Sequence, residues 1–301
     1  MKKILLDTDI GSDIDDCFAL AYLLSHKDIE ILGITTTTGL PEFRAQLADK
    51  VCSTYGKQIP IHVGYERSLS DELRQPTLTK AQTLVAESSE KKYSKNNTAI
   101  EFLRETIEKH PNEATLFCIG PMTNAAALFE KYPHTASILD GMVIMGGMYG
   151  DKANFDTEKW GITEWNILCD TVAADIVFKQ NVKNCLVIGV EQTCRYHISP
   201  APIKAALYEN AKLRAVSDSV NTVAKQVWFH DVIAIYAYLY PHEVTLEKGN
   251  VTLQFANGDN PVATVFEPDV NGRHVVVTDF SVEKFKSNYQ QIVGISADCM
   301  Q

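Results

Sequence analysis

Five aspartates fall within ten residues near the start of this chain: Asp7, Asp9, Asp13, Asp15 and Asp16. Before them comes Lys3-Ile4-Leu5-Leu6, an apolar run that reads as a buried strand ending at Asp7. After them, Cys17-Phe18-Ala19-Leu20 continues a helical segment. The turn from a strand into a helix is where open α/β sheets place their ligand sites. Carboxylates crowded there repel one another unless something positive sits among them. A hard divalent cation, Ca²⁺ or Mg²⁺, prefers oxygen ligands and meets that need. The plainer alternative is helix capping, because Asp is favoured at helix N-termini; it could use Asp13 and one neighbour but not all five. An EF-hand loop does not fit. Counted from Asp7, its sixth position is Ser12 rather than Gly, and its twelfth is Phe18 rather than Glu.

The chain continues as alternating apolar runs and amphipathic segments. Strands are predicted at Lys3–Asp7, Ile29–Thr37, Ile61–Gly64, Ala114–Gly120, Gly141–Gly146 and Asn184–Val190. Helices are predicted at Ile14–His26, Pro41–Tyr55, Thr98–Lys109, Thr123–Lys131 and Thr171–Lys179, with Asn97 as an N-cap. Strand and helix in repetition imply an α/β fold: a mostly parallel, Rossmann-like open sheet with helices on both faces. Right-handed crossovers then bring the carboxyl ends of the strands to one edge. From about Glu243 the texture changes to short strand-like pieces, Glu243–Glu247, Val251–Phe255, Ala263–Phe266 and His274–Thr278. Gly249-Asn250 and Asn271-Gly272 read as turns between them, and a last helix covers Ser281–Val293. These are C-terminal strand additions to the sheet. Ser68–Asn97 is polar and weakly patterned, a long surface loop with room for one helix. With no repeat and no Pro/Gly linker, residues 1–301 read as a single domain.

Composition removes several function classes. The net charge is -10, and no Lys/Arg block offers phosphates a basic stripe, which argues against a nucleic-acid polymer as partner. No apolar run has the length of a membrane span. The N-terminal Met1-Lys2-Lys3 is followed by only three apolar residues before Asp7, too few for a signal peptide. The seven cysteines are odd in number, scattered and without a CxxC pair. They read as reduced thiols of a cytoplasmic protein rather than a disulfide framework or a zinc site.

The motifs carry a resemblance. Asp7-Thr-Asp9-Ile-Gly11, with Asp15-Asp16-Cys17 after two extra residues, resembles the N-terminal Asp-x-Asp-Pro-Gly-x-Asp-Asp-Ala pattern of the nucleoside hydrolases. These are the inosine-uridine type enzymes that cut the N-glycosidic bond of ribonucleosides. Ile119-Gly120-Pro121-Met122-Thr123-Asn124 resembles the family's strand end Gly-Pro-Leu-Thr-Asn; alone it would pass for a plain turn. Met145-Gly146-Gly147 and Thr163-Glu164-Trp165-Asn166-Ile167 look like its Met-Gly-Gly and Ala-Glu-Phe-Asn-Ile segments. His230-Asp231-Val232 matches its His-Asp-Pro, with Val in place of Pro.

That resemblance implies a Ca²⁺-dependent N-ribohydrolase. The calcium ligands would be Asp9, Asp16, the Ile119 carbonyl and Asp231. Asp9 would also serve as base for a calcium-bound water, and the transition state would resemble an oxocarbenium ion. Asp15, Glu164 and Asn166 would hold the ribose. Trp165, in place of the usual Phe, would shape the sugar or base pocket, although a core aromatic is the commoner fate of such a residue. His230 would protonate the leaving base; its bland reading is a structural His at a helix start. The partner implied is a small ribonucleoside, and relatives are commonly homodimers or homotetramers. Departures fall on the substrate side. Leu40 stands where the family keeps a ribose-contacting Asn. The His-Gly-x-x-Gly segment is absent from the loop around Ser68–Lys92, and Glu191-Gln192-Thr193-Cys194 replaces Asp-Val-Thr-His. A further family Asn finds its nearest match in Asn154 at a longer spacing. Two rivals stand beside this reading. One is a Mg²⁺-dependent dehalogenase-type phosphohydrolase with Asp7 as nucleophile. The other is a non-catalytic calcium-dependent nucleoside or sugar binder.

Overall fold

A computed structural model describes residues 1–150, 163–255 and 261–296. Among the described residues the main sheet has nine strands: β1 (Lys2–Thr8), β2 (Ile29–Thr36), β3 (Ile61–Val63), β4 (Ala114–Cys118), β5 (Gly141–Met145), β6 (Cys185–Ile188), and three more described below. The first six lie side by side in the order β3-β2-β1-β4-β5-β6, all parallel. Consecutive strands are joined through helices, as parallel neighbours require. The helices that matter here are α1 (Asp15–Ser25), α2 (Pro41–Thr54), α3 (Lys80–Glu87), α4 (Ala99–Lys109), α5 (Thr123–Lys131) and α6 (His134–Ile138). Predicted and observed bounds agree within one or two residues for these strands and for α1, α2, α4 and α5.

Strand residues face alternate sides, and both sides are apolar. Ile4, Leu6, Phe117, Val143 and Ile188 join one core with α1. Leu5, Leu116, Met142, Ile144 and Val187 join a second core with α4 and α5. Both faces are therefore covered, as the apolar runs of a parallel sheet demand. Burying one such side chain contributes about 1.5–3 kcal/mol.

Past β5 the described helices are α7 (Trp165–Cys169), α8 (Thr171–Phe178), α9 (Val190–Thr193), α10 (Pro200–Tyr208), α11 (Arg214–Ser219) and α12 (His230–Leu239). A two-stranded ribbon of β7 (His197–Ile198) and β8 (Val227–Trp228) leads into α12, which packs against α1. The sheet then grows by β9 (Val244–Phe255), β10 (Pro261–Pro268) and β11 (His274–Phe280). Of these, β11 is parallel to β6 while β9 and β10 run antiparallel to their neighbours. The last described helix, α13 (Val282–Val293), is capped by Ser281, whose hydroxyl accepts from Lys284 N.

One expectation fails here. Gly249-Asn250 is not a turn but the middle of β9. A Cβ on Gly249 would lie 2.3 Å from the Glu267 carbonyl oxygen, so the glycine serves close backbone approach. Asn250 is held by its side chain instead, donating to Asp269 Oδ2 at 3.2 Å and accepting from Arg273 N at 3.2 Å. No helix among the described residues is long and apolar enough to cross a membrane.

Candidate active site

The strand order turns back between β1 and β4, and a crevice opens beyond the carboxyl ends of those strands. This is the switch point at which doubly wound sheets bind ligands. A cavity of about 920 Å³ lies there. Asp9 follows β1, Asp15 and Asp16 open α1, and Asp231 stands in the first turn of α12; all four line the cavity. Oxygens of Asp15, Asp16 and Asp231 lie within 4.8 Å of one another. Asp9 approaches from the strand side. A Cβ on Gly120 would sit 2.6 Å from Asp9 Oδ1, so only glycine lets the β4 end come this close. Thr8 donates from Oγ1 to Asp16 Oδ1. The capping alternative is met in part: Ile14, the N-cap of α1, makes no side-chain cap, but Asp13 Oδ1 accepts from Ile14 N at 2.8 Å and Asp15 and Asp16 stand in the first turn.

Burial, reinforced by repulsion from neighbouring aspartates, pushes the carboxyls of Asp15, Asp16 and Asp231 well above their ordinary range. Buried charges of one sign need a counter-ion or must take up protons. Four carboxylates on one cavity wall therefore fit a metal ion, and an all-oxygen set suits a hard one.

The residues expected to hold the sugar converge on the same cavity. Asn166 lines it and donates from Nδ2 to the Ile119 carbonyl at 3.0 Å and to the Met145 carbonyl at 3.1 Å. It thus ties the ends of β4 and β5 together beside the Ile119 oxygen. Glu164 is the N-cap of α7, accepting from Asn166 N at 2.9 Å, Ile167 N at 3.1 Å and Gly147 N at 3.1 Å. Burial still raises it to about 7. Trp165 is not a core aromatic: it is 50% exposed on the cavity wall. His230 lines the cavity with its Nδ1 2.7 Å from Thr193 Oγ1, and burial lowers it to about 4. Its ring stacks on Trp228, with centroids 5.6 Å apart.

Asp7 behaves differently from its neighbours. Its Oδ1 accepts from Thr35 Oγ1 at 2.5 Å and Asn124 Nδ2 at 2.7 Å; it is 1% exposed and does not line the cavity. A nucleophile must reach its substrate, so the phosphohydrolase reading loses its central residue.

The family model described as inosine-uridine preferring nucleoside hydrolase matches residues 4–288. The chain belongs to that family. It is 26% identical over 272 residues to uridine nucleosidase 1 of Arabidopsis thaliana, covering 84% of this chain and 78% of the relative. It is 26% identical over 280 residues to the non-specific ribonucleoside hydrolase RihC of Salmonella paratyphi B, covering 90% and 88%. Among solved structures, the plant nucleoside hydrolase PpNRh1 superposes with a TM-score of 0.77 at 23% identity, covering 97% of this chain and 98% of that one. Membership makes this nucleoside hydrolase an enzyme of N-glycosyl bonds.

Within that family frame, several residues of the site escaped the sequence reading. Arg44 is fully buried beneath the acid wall, and Gln75 lines the cavity. Neither lies in a motif. Arg44 sits in an amphipathic helix and Gln75 in the weakly patterned loop, so no local signal marks them. That loop is no plain surface strap: Arg74 to Thr79 walls the cavity, and Thr79 N donates to the Gly11 carbonyl at 2.9 Å. Leu40 does not line the cavity, so it makes no wall of the site. Asn154 lies outside the described residues.

Proposed function

We propose that this chain splits ribonucleosides into free base and ribose at this cavity, with calcium held by Asp9, Asp16, the Ile119 carbonyl and Asp231. The observation that carries the reading is the convergence of four buried carboxylates on the switch-point cavity, beside the Glu164–Asn166 segment. Bound there, calcium would orient and acidify a water and gather the ribose hydroxyls.

The chain's own residues do the rest. Asp9 takes the water's proton as the oxygen attacks the anomeric carbon. Asp15, beside the ligand oxygens, binds ribose hydroxyls. Asn166 and Glu164 hold the sugar from the opposite side, each fixed by backbone hydrogen bonds and so organised before substrate arrives. The transition state gathers positive charge on the sugar ring, which the surrounding carboxylates favour. The bond to the base breaks with its electron pair going to the base nitrogen. His230 stands at the leaving-base side with Nδ1 2.7 Å from Thr193 Oγ1; in its imidazolium form it would donate a ring proton to the departing base. Trp165 and Trp228 supply flat apolar surface for a base. Residues 1–301 act as a single domain of a cytoplasmic homo-oligomer in this reading.

The test is a reducing-sugar assay over purine and pyrimidine ribonucleosides, with and without chelator, beside Asp9→Ala. Ribose release that needs calcium and falls about 10²–10⁴-fold in Asp9→Ala is the expected result. Tight calcium-dependent nucleoside binding without release from any member of the panel overturns hydrolysis in favour of a binder.

A further inference from the structure

One support of the cavity comes from the far edge of the sheet. Both residues expected to hold the sugar lean on the short segment 145–148, at the end of β5. Asn166 donates to the Met145 carbonyl at 3.1 Å, and Gly147 N donates to Glu164 Oε2 at 3.1 Å. Gly147 has a φ of +84°, in the region that favours glycine. A glycine swings easily, so its amide has to be aimed from outside. The peptide between Gly147 and Met148 is gripped on both sides. Its carbonyl accepts from Val190 N at 2.8 Å, and its N–H donates to Thr264 Oγ1 at 2.8 Å.

Thr264 does more than accept. The same hydroxyl donates its proton to the Met148 carbonyl at 2.9 Å, since a hydroxyl can do both at once. Among the described residues it is the partner of both backbone groups of Met148, which is buried. Yet Thr264 lies on β10, the edge strand, with β9, β11 and β6 between it and β5. In a flat sheet four strand spacings would hold the two about 19 Å apart. The contact exists because the arm of β9 and β10 folds back. Leu253, opposite Thr264 on β9, and Phe266, two residues along β10, share its face of the arm. Both pack on the second core, as does Tyr149, so apolar burial holds the arm where Thr264 can reach.

We infer that Thr264 is a positioning residue for the ribose side of the cavity: by holding Met148 it sets the Gly147 amide, and that amide orients the Glu164 carboxylate. The inference rests on the reading of Glu164 and Asn166 as sugar contacts. Thr264 itself touches no reacting atom. A carboxylate that meets sugar hydroxyls has to offer its remaining lone pairs in fixed directions, and a displacement of about 1 Å can cost about 10²-fold in rate. Valine has the shape of threonine but supplies neither hydrogen bond, so it isolates the hydroxyl's part.

The experiment compares Thr264→Val, Thr264→Ser, Glu164→Gln and the Thr264→Val, Glu164→Gln double variant, all full-length and loaded with calcium. Amide hydrogen exchange is read by mass spectrometry in peptides covering 143–150 and 163–169. Ribose release is measured with uridine and its 2′-, 3′- and 5′-deoxy analogues, or the inosine series if the wild type prefers it. Thr264→Val is expected to speed exchange in both peptides about tenfold. It should lower kcat/KM for the full ribonucleoside about tenfold, the worth of one hydrogen bond, with calcium affinity within about twofold. Its preference over one deoxy analogue should shrink, and that analogue should be the one Glu164→Gln also stops rejecting. The double variant should lose less than about twofold more, because the two residues act as one. Thr264→Ser keeps the hydroxyl and should stay within about twofold of wild type on every count. If Thr264→Val melts early, Thr264→Ala carries the comparison. Unchanged exchange in 163–169, an equal loss toward every sugar, a loss on a different hydroxyl from Glu164→Gln, or an equal defect in Thr264→Ser overturns the inference. If the wild type releases no ribose, the hydrolase reading fails by itself, and the exchange alone decides the positioning.

Discussion

The two walls of the cavity are built in opposite ways. The acid wall is short in sequence and closed to solvent: Asp9, Asp15 and Asp16 come from one strand-to-helix turn, and each is at most 6% exposed. The base-side wall is assembled from Arg74–Thr79, Trp165, Cys194, Trp228 and His230, and its largest side chain, Trp165, is half exposed. A buried carboxylate cluster that shares one cation would have little freedom to vary, because losing any member weakens the hold on the ion that offsets the repulsion among the rest. A half-exposed aromatic can be exchanged without opening the core. In the proposed reading the difference divides chemistry from selectivity: the first wall would fix the reaction, the second the base.

Breaking the acid wall should give the largest effect. Asp231→Ala removes a ligand from a remote helix, and ribose release should fall by at least about 10³-fold as several kcal/mol of charge stabilisation is lost. Metal analysis of the purified variant should show calcium lost with it; retained calcium would detach Asp231 from the centre. Next comes the ion. Melting with calcium at about 1,000 times its Kd should exceed melting in chelator by the equivalent of about 4 kcal/mol, and equal curves would remove the ion from the folded state. On the other wall, Trp165→Ala should raise KM about tenfold, leave kcat within about twofold and barely change melting, since a stacked base contributes about 1–3 kcal/mol. A melting loss typical of a core aromatic would erase the contrast between the walls.

His274 offers a control away from both walls. Burial lowers it to about 4; its Nδ1 accepts from Val251 N at 3.0 Å. The unfolded chain takes up a proton below about 6.5 while the folded one refuses it until about 4. Its contribution is therefore complete above pH 6.5 and shrinks by about 1.4 kcal/mol per unit as pH falls toward 4. Denaturant unfolding should show the stability gap between wild type and His274→Gln closing over that window; a constant gap would refute the assignment.

How much was legible in the sequence follows the same division. The parallel strands and the acid wall could be read because their signals are local: an apolar run, a turn, a cluster of one residue type. Gly120 and Asn166 could be read as motif members, though not why they matter. Gly120 is glycine because Asp9 Oδ1 occupies the space of its Cβ, and Asn166 spans two strand ends. Arg44, Gln75 and Thr264 were illegible, because each gains its meaning from partners far along the chain. Gly249-Asn250 misled for the same reason. A turn pair was kept straight by strands on both sides.

The central place of β1 has a consequence for how the molecule assembles. Of the strands of this sheet β1 is made before the others described; it is paired on one side by β2 but waits for β4 on the other, and α1 waits for α12 from beyond residue 230. Contacts of such long range close late and make folding slow. During synthesis the nascent chain therefore exposes its aspartates long before Asp231 can join them. In the proposed reading ion capture would be a closing event of maturation, because Asp231 is the last of the acidic residues to arrive.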